Sequence, residues 1–361
     1  MSLNKHWPLI AAALLVLPAT VRAQTLGFST FESNGPIVAA AGGDGTIAFT
    51  YAGTQFIGST YYSNQLYSTG LTAGSAVTPF GSALPVASGS VGEVVVGASL
   101  GNGGFANGTV FAGSQASGAI YKYTGGVPST WVTLPATLTG GGSSGVIRQI
   151  FFDPGSTFGG DMLVATSTGG IFKITSAGVI SQLAAIGEDT EGMDIAPSTF
   201  GSLGGDLLVG SENSGTLRAI SSAGVVTVVA TGLTGAETIS AIPTALDPSN
   251  PLEGFYVANY TQNIQFAAGS EFSGTELGSI IVTSETLGST AWDVTWSGSS
   301  FVVAPFTFSP PNTINQFEDG IFVTPLRASE GAGVTPEPSS LILLGTGLLG
   351  LAGSLKRKFF S

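Results

Sequence analysis

Two stretches of this chain, 45 residues apart, carry almost the same message. Phe158-Gly159-Gly160-Asp161-Met162-Leu163-Val164-Ala165 is matched by Leu203-Gly204-Gly205-Asp206-Leu207-Leu208-Val209-Gly210. Each is followed by a glycine turn and a second apolar run, Gly170–Thr175 and Thr216–Ser221, closed by Ser176-Ala177-Gly178 and Ser222-Ala223-Gly224. A third apolar run comes next, Val179–Ile186 and Val225–Ala230. Weaker copies extend the series. Gln55–Thr60 leads to Gln65–Thr69, and Gly108–Gly113 to Ala119–Thr124. Gly254–Ala258 leads to Asn263–Ala267, and Ser300–Ala304 to Gly320–Thr324. That reading gives six units of about 50 residues each.

A unit of this length holding three or four short strands predicts an all-β, six-bladed β-propeller. A lone four-stranded sheet cannot cover both its faces, and radial stacking buries them while leaving only short edges exposed. Helical repeats are disfavoured, because the apolar residues fall in β-branched blocks of four to six and no 3.6-residue face persists. A β-sandwich or right-handed β-helix is the alternative. The 54 glycines are dispersed through turns and do not precede a helix with a lysine, so they form no phosphate-cradling loop. With 43% hydrophobic residues, the chain has enough apolar surface for a core.

The ends read differently. Lys5 and His6, the apolar run Trp7–Leu17 and the small residues before Gln24 predict a secretory signal peptide over 1–23, cut between Ala23 and Gln24. The partners implied are the Sec translocon and signal peptidase. The expected β-propeller domain spans 24–328, and 329–335 is small and polar, a flexible linker. Segment 336–361 opens on Pro336-Glu337-Pro338, continues through the apolar run Leu341–Leu355 and closes on the basic stop Lys356-Arg357-Lys358. As a helix, Leu341–Leu355 is about 22 Å long, short of a ~30 Å bilayer core. A single C-terminal transmembrane helix is expected there, with the basic residues holding the C-terminus in the cytoplasm.

That order of parts resembles the PEP-CTERM sorting signal of exported proteins of Gram-negative bacteria. The resemblance implies an exosortase as partner, membrane anchoring through the C-terminal helix before processing, and a cell-surface or extracellular destination. The terminal Phe359-Phe360-Ser361 departs from the Arg-rich ends of many members.

Composition removes whole classes of chemistry. The chain has no cysteine, so it has no disulfide, thiolate ligand or thiol nucleophile. Its only histidine is His6, so a mature chain would hold no Ser-His-Asp triad and no His-ligated zinc. Between Gln24 and Thr335 there are 21 acidic and five basic residues, a formal charge of −16. Such a body does not attract nucleic acid or anionic lipid.

The densest charge is Glu188-Asp189-Thr190-Glu191-Gly192-Met193-Asp194. It falls between two units, at the expected start of an inner strand and the mouth of a central channel. Its carboxylates could bind Ca²⁺, which takes six to eight oxygens, but the spacing is not that of an EF-hand. Glu191-Gly192 resembles the Glu-Gly element of lactonase-like six-bladed propellers, in which a Glu helps hold a divalent metal. The resemblance implies Glu191 as a metal ligand and no other residue. Glu237, Asp293 and Arg148 occupy other expected blade starts, and an Arg148 salt bridge to a channel carboxylate is expected. Tyr61, Tyr62, Tyr67, Tyr121, Tyr123 and Trp131 are either packing residues or a platform for an exopolysaccharide. No catalytic residue is assigned. The first reading is an exported binding or structural module, not an enzyme. The alternatives are a metal-dependent lactonase-like propeller enzyme and an exopolysaccharide-binding propeller.

Overall fold

The structure, a computed structural model, describes residues 24–324 apart from 287, 289 and 311–313. The expected signal peptide with Ala23 of its cleavage site, the expected linker, the sorting motif, the expected transmembrane helix and the basic stop therefore lie outside the described residues. Among the described residues no helix is long and apolar enough to cross a membrane.

Six four-stranded antiparallel sheets form the body. From inner to outer strand, blade 1 is Thr46–Tyr51, Phe56–Thr60, Leu66–Thr69 and Thr78–Phe80. Blade 2 is Val94–Ala98, Val110–Ser114, Ser117–Thr124 and Val127–Thr133. Blade 3 is Ile147–Phe152, Met162–Thr166, Gly170–Ile174 and Ile180–Ala185. Blade 4 is Glu191–Ile195, Leu207–Ser211, Thr216–Ile220 and Val226–Ala230. Each inner strand packs beside the next, and that of the sixth blade returns to that of the first, so the ring closes.

The repeat detected in the sequence is the middle hairpin of blades 3 and 4. The turn that follows it, joining the third strand to the fourth, is the Ser-Ala-Gly tripeptide, where Gly178 (φ +79°) and Gly224 (φ +81°) adopt a left-handed conformation. Their N–H groups donate to Thr175 O and Ser221 O, 2.8 Å in each case, as in a three-residue hairpin loop.

The last two units are divided differently from the sequence reading. Blade 5 is Ala236–Ala241, Ile280–Ser284, Ala291–Trp296 and Phe301–Pro305. Between its first and second strands the chain leaves to build Gly254–Asn259 and Asn263–Ala268 of blade 6. Blade 6 takes its inner strand, Phe317–Val323, from the far end of the described chain and its outer strand, Ser29–Ser33, from the beginning. Ser300–Ala304 and Gly320–Thr324 are thus not one unit but parts of two neighbouring blades. The two chain ends are clasped again where Thr25–Gly27 pairs in parallel with Thr307–Ser309. Closing the ring this way ties distant segments into one sheet, so the last blade cannot pair without the first residues.

Between each pair of blades lies one apolar cluster, and there are six such clusters. The seam between blades 6 and 1 is aromatic. Phe31, Phe56 and Tyr256 meet at ring distances of 4.8–5.3 Å, and Ile37 of the short helix Asn34–Ala41 covers them. Fully burying side chains of this size contributes roughly 1.5–3 kcal/mol each.

Candidate functional site: the acidic end of the channel

Five of the six inner strands break register where they begin. The extra residues include Arg148 in blade 3, Gly192 in blade 4, Glu237 in blade 5, and Glu318 and Asp319 in blade 6. A β-bulge re-aims side chains that regular pairing would send between sheets. Here it brings charged residues together in the channel.

Arg148 is the centre of the group, and its side chain is 9% exposed. Its guanidinium contacts Glu93 and Glu191, lies 3.2 Å from Asp189 Oδ1 and 3.6 Å from Glu212 Oε2. Burial alone would weaken its charge, but Glu93, Glu237 and Asp189 outweigh burial and hold its pKa above the ordinary value. Gln115 donates to Glu93 at 2.6 Å, and Gln316 donates to Glu318 at 2.8 Å and to Glu285 at 3.3 Å.

One cation cannot neutralise so many carboxylates, and burial decides which of them keep protons. Glu237 is pushed well up, by burial and then by Glu285. Glu318 is also pushed well up, by burial and then by Glu237. Glu285 rises to about 8, through burial and then its hydrogen bond with Glu212. Glu237 Oε2 is buried without a hydrogen-bond partner. Asp189, Glu191 and Glu212 bring one oxygen each to within 4.8 Å of one another. This all-oxygen set suits a hard divalent cation such as Ca²⁺, with the Arg148 guanidinium as competitor for the same oxygens.

Glycine at position 192 has a steric reason. Its φ is +53°, and a Cβ there would sit 2.0 Å from the Glu237 carbonyl of the adjacent inner strand. The Glu-Gly pair therefore lets blades 4 and 5 approach closely at the channel mouth.

The expected inner-strand positions of Glu191, Glu237 and Arg148 hold, as does the Arg148 salt bridge. Asp293 departs from expectation. It lies on the third strand of blade 5, bonded to Ser279 and Thr295, because that blade's inner strand starts at Ala236. Of the neighbouring acids, Glu188 pairs with Arg218 at 2.5 Å, and Asp194 accepts from Ile195 N and Ala241 N at 2.8 Å each, joining blades 4 and 5. The aromatic platform shrinks. Tyr67, Tyr121 and Tyr123 are buried, and Trp131 packs on Phe111 at 4.9 Å. Tyr62 remains 45% exposed, at φ +64°, with its ring 3.9 Å from that of Tyr61, which in turn meets Tyr260 edge-on at 6.0 Å.

Sequence reasoning missed Glu93, Glu212, Glu285, Glu318 and Asp319. A signal existed for some of them. In a body with few charges, Glu93-Val94, Ile147-Arg148, Ala236-Glu237 and Phe317-Glu318 each place a charge at the threshold of an apolar inner strand.

Comparison with known proteins adds the following. Residues 334–358 match the PEP-CTERM protein-sorting motif, which covers Pro336-Glu337-Pro338 and the basic cluster through Lys358. The motif implies exosortase processing, and hence an exported, membrane-processed protein. No curated protein matches the chain. Among solved structures, the virginiamycin B lyase of Staphylococcus aureus is 17% identical, with a TM-score of 0.47 over 80% of this chain and 76% of that one. A putative gluconolactonase is 11% identical, with a TM-score of 0.47 over 84% and 85%. A putative 6-phosphogluconolactonase of Bacteroides fragilis is 12% identical, with a TM-score of 0.41 over 76% and 72%.

Proposed function

We propose that the propeller is the binding or structural module of an exosortase-sorted protein of the cell surface or extracellular matrix. The observation that carries this reading is Arg148. The guanidinium occupies the centre of the acidic end and contacts Glu93 and Glu191, so the carboxylates already have a counter-charge built into the fold. A pair locked in this way fixes the relative positions of blades 2, 3 and 4, which suits a rigid scaffold. Calorimetric titration of the full chain with Ca²⁺ and with Zn²⁺ tests it. The expected result is no binding and an unchanged melting temperature.

A second reading, a metal-dependent lactonase-like enzyme, is favoured by the unpartnered Glu237 oxygen beside the Asp189, Glu191 and Glu212 set. In that reading Glu191 and its two neighbours hold Ca²⁺, which would polarise a substrate oxygen. Calcium binding with proton release, lost in Glu237→Gln, would replace the first reading by the second.

A third reading, exopolysaccharide binding, rests on Tyr61, Tyr62 and Tyr260, a small aromatic shelf whose exposed member has a strained backbone. Loss of glycan-array binding in Tyr62→Ala would support it.

A further inference from the structure

The same six inner strands enclose a second space at their other ends, and its chemistry is different. It is a small open funnel with a cavity volume of about 90 Å³, lined by Tyr51, Leu100, Phe152, Met193 and Ile321, with no Lys, Arg or His among its lining residues. Its floor is a hydrogen bond across the channel, from Gln149 Nε2 of blade 3 to Asp319 Oδ1 of the opposite blade 6, at 3.1 Å. Both residues also line the narrow acidic space, so this pair separates the two.

We propose that the funnel is a binding site for a small neutral molecule with a compact apolar or aromatic body and one carbonyl oxygen, which would be seated on the Gln149–Asp319 pair. The volume admits only a compact molecule, part of which stays in the open mouth, and the walls have the usual character of a small-molecule site, apolar with a few convergent polar groups. The polar groups at the rim are already engaged. Asn102 Nδ2 donates to Asp153 O and Pro154 O, at 3.1 and 2.9 Å. Asp194 serves the backbone N–H groups of Ile195 and Ala241. The floor still has donors to offer. The Gln149 amide carries a second N–H beyond the one it gives to Asp319. Burial lifts the Asp319 carboxyl to about 7 against the opposing hydrogen bonds of Gln149, Gly320 N and Phe49 N, so below that pH it holds a proton of its own. An anion finds no counter-charge in the funnel. Val323, the last residue of the sixth inner strand, lines the funnel wall.

Methionine supplies a position-specific test. Met193 lines the funnel, whereas Met162 is fully buried in blade 3. The full chain, labelled at its methionine methyl carbons, is titrated at a pH of about 6 with acetophenone, benzoate and benzylammonium in parallel. The expected result is a saturable shift of Met193 with acetophenone, with a Kd on the order of 1 mM for so small a probe, and no shift of Met162. Benzoate should bind at least ~10-fold more weakly. Leu100→Trp, at the mouth, should abolish the shift while an unchanged Met162 signal reports an intact fold. Leu100→Phe takes its place if that signal is lost. The proposal is overturned by a Met193 response that does not saturate, by equal movement of Met162, by indifference to the mouth substitution, or by tighter binding of either charged probe.

Discussion

At the start of the inner strands the channel gathers Glu93, Asp189, Glu191, Glu212, Glu237, Glu285 and Glu318 around Arg148; at their far ends it is lined by Tyr51, Phe152, Met193 and Ile321. The strands are the same and the pairing partners are the same. What differs is the register. At the acidic end the bulges turn residues inward that regular alternation would send elsewhere, and the loops add Asp189, Glu212 and Glu285. At the other end the pairing is regular, as in Ile150–Phe152 against Met162–Val164, and the walls keep the apolar character of the blades. A propeller can therefore change the chemistry of one mouth by local bulges without disturbing the packing that holds the ring.

The two ends should respond differently to substitution and to pH. The largest effect is expected from Arg148→Ala. It leaves buried carboxylates without their counter-charge and should cost about 3–5 kcal/mol in denaturant unfolding. A loss below about 1 kcal/mol would mean that the acidic end contributes little to holding the blades together.

The next effect is in pH. Asp319, Glu285, Glu237 and Glu318 all have folded pKa values raised above their ordinary ones. The folded protein therefore binds more protons than the unfolded chain above a pH of about 4, and stability falls as pH rises from there to about 8. In Asp319→Asn, whose amide does not titrate, this decline should shrink by about 3 kcal/mol, measured by unfolding at stepped pH. An undiminished decline would place the titration elsewhere.

At the apolar end, Phe152→Ala should cost about 2 kcal/mol, with a cost that does not vary over the same pH window. A pH-dependent cost would mean that the Gln149–Asp319 pair does not insulate the two spaces. The smallest effect is expected on the outer turns of the funnel side. Val225 is 62% exposed, and Val225→Ser should leave the melting midpoint nearly unchanged, within about 0.5 kcal/mol. A larger loss would reveal a contact made by this turn outside the described residues.

Much of the ring was legible because its signal is local. A hairpin needs two β-branched runs and a turn of defined chemistry, and the Ser-Ala-Gly tripeptides at 176–178 and 222–224 announce it within a few residues. The closing blade was less legible because its parts are far apart. Ser29–Ser33 pairs with Asn263–Phe266, and nothing in either segment names the other. The site followed the same rule. Glu191 and Arg148 could be placed near a channel mouth from their position in the repeat, whereas Glu212 and Glu285, on loops that follow the second strands of blades 4 and 5, could not.

The number of blades, the hairpin turns, the acidic character of the body and the sorting motif at 334–358 are each written in neighbouring residues or in composition. How blades 5 and 6 interlace, which carboxylates surround Arg148 and why the channel has two unlike ends emerge only in the folded ring. Those features depend on bulged registers and on contacts between distant segments, such as Thr25 against Thr307, 282 positions apart, and Glu32 beside Ile264 in the sheet of blade 6. A chain reads its own turns locally, but the direction in which a bulged strand aims a side chain is fixed only when its partner strand is in place.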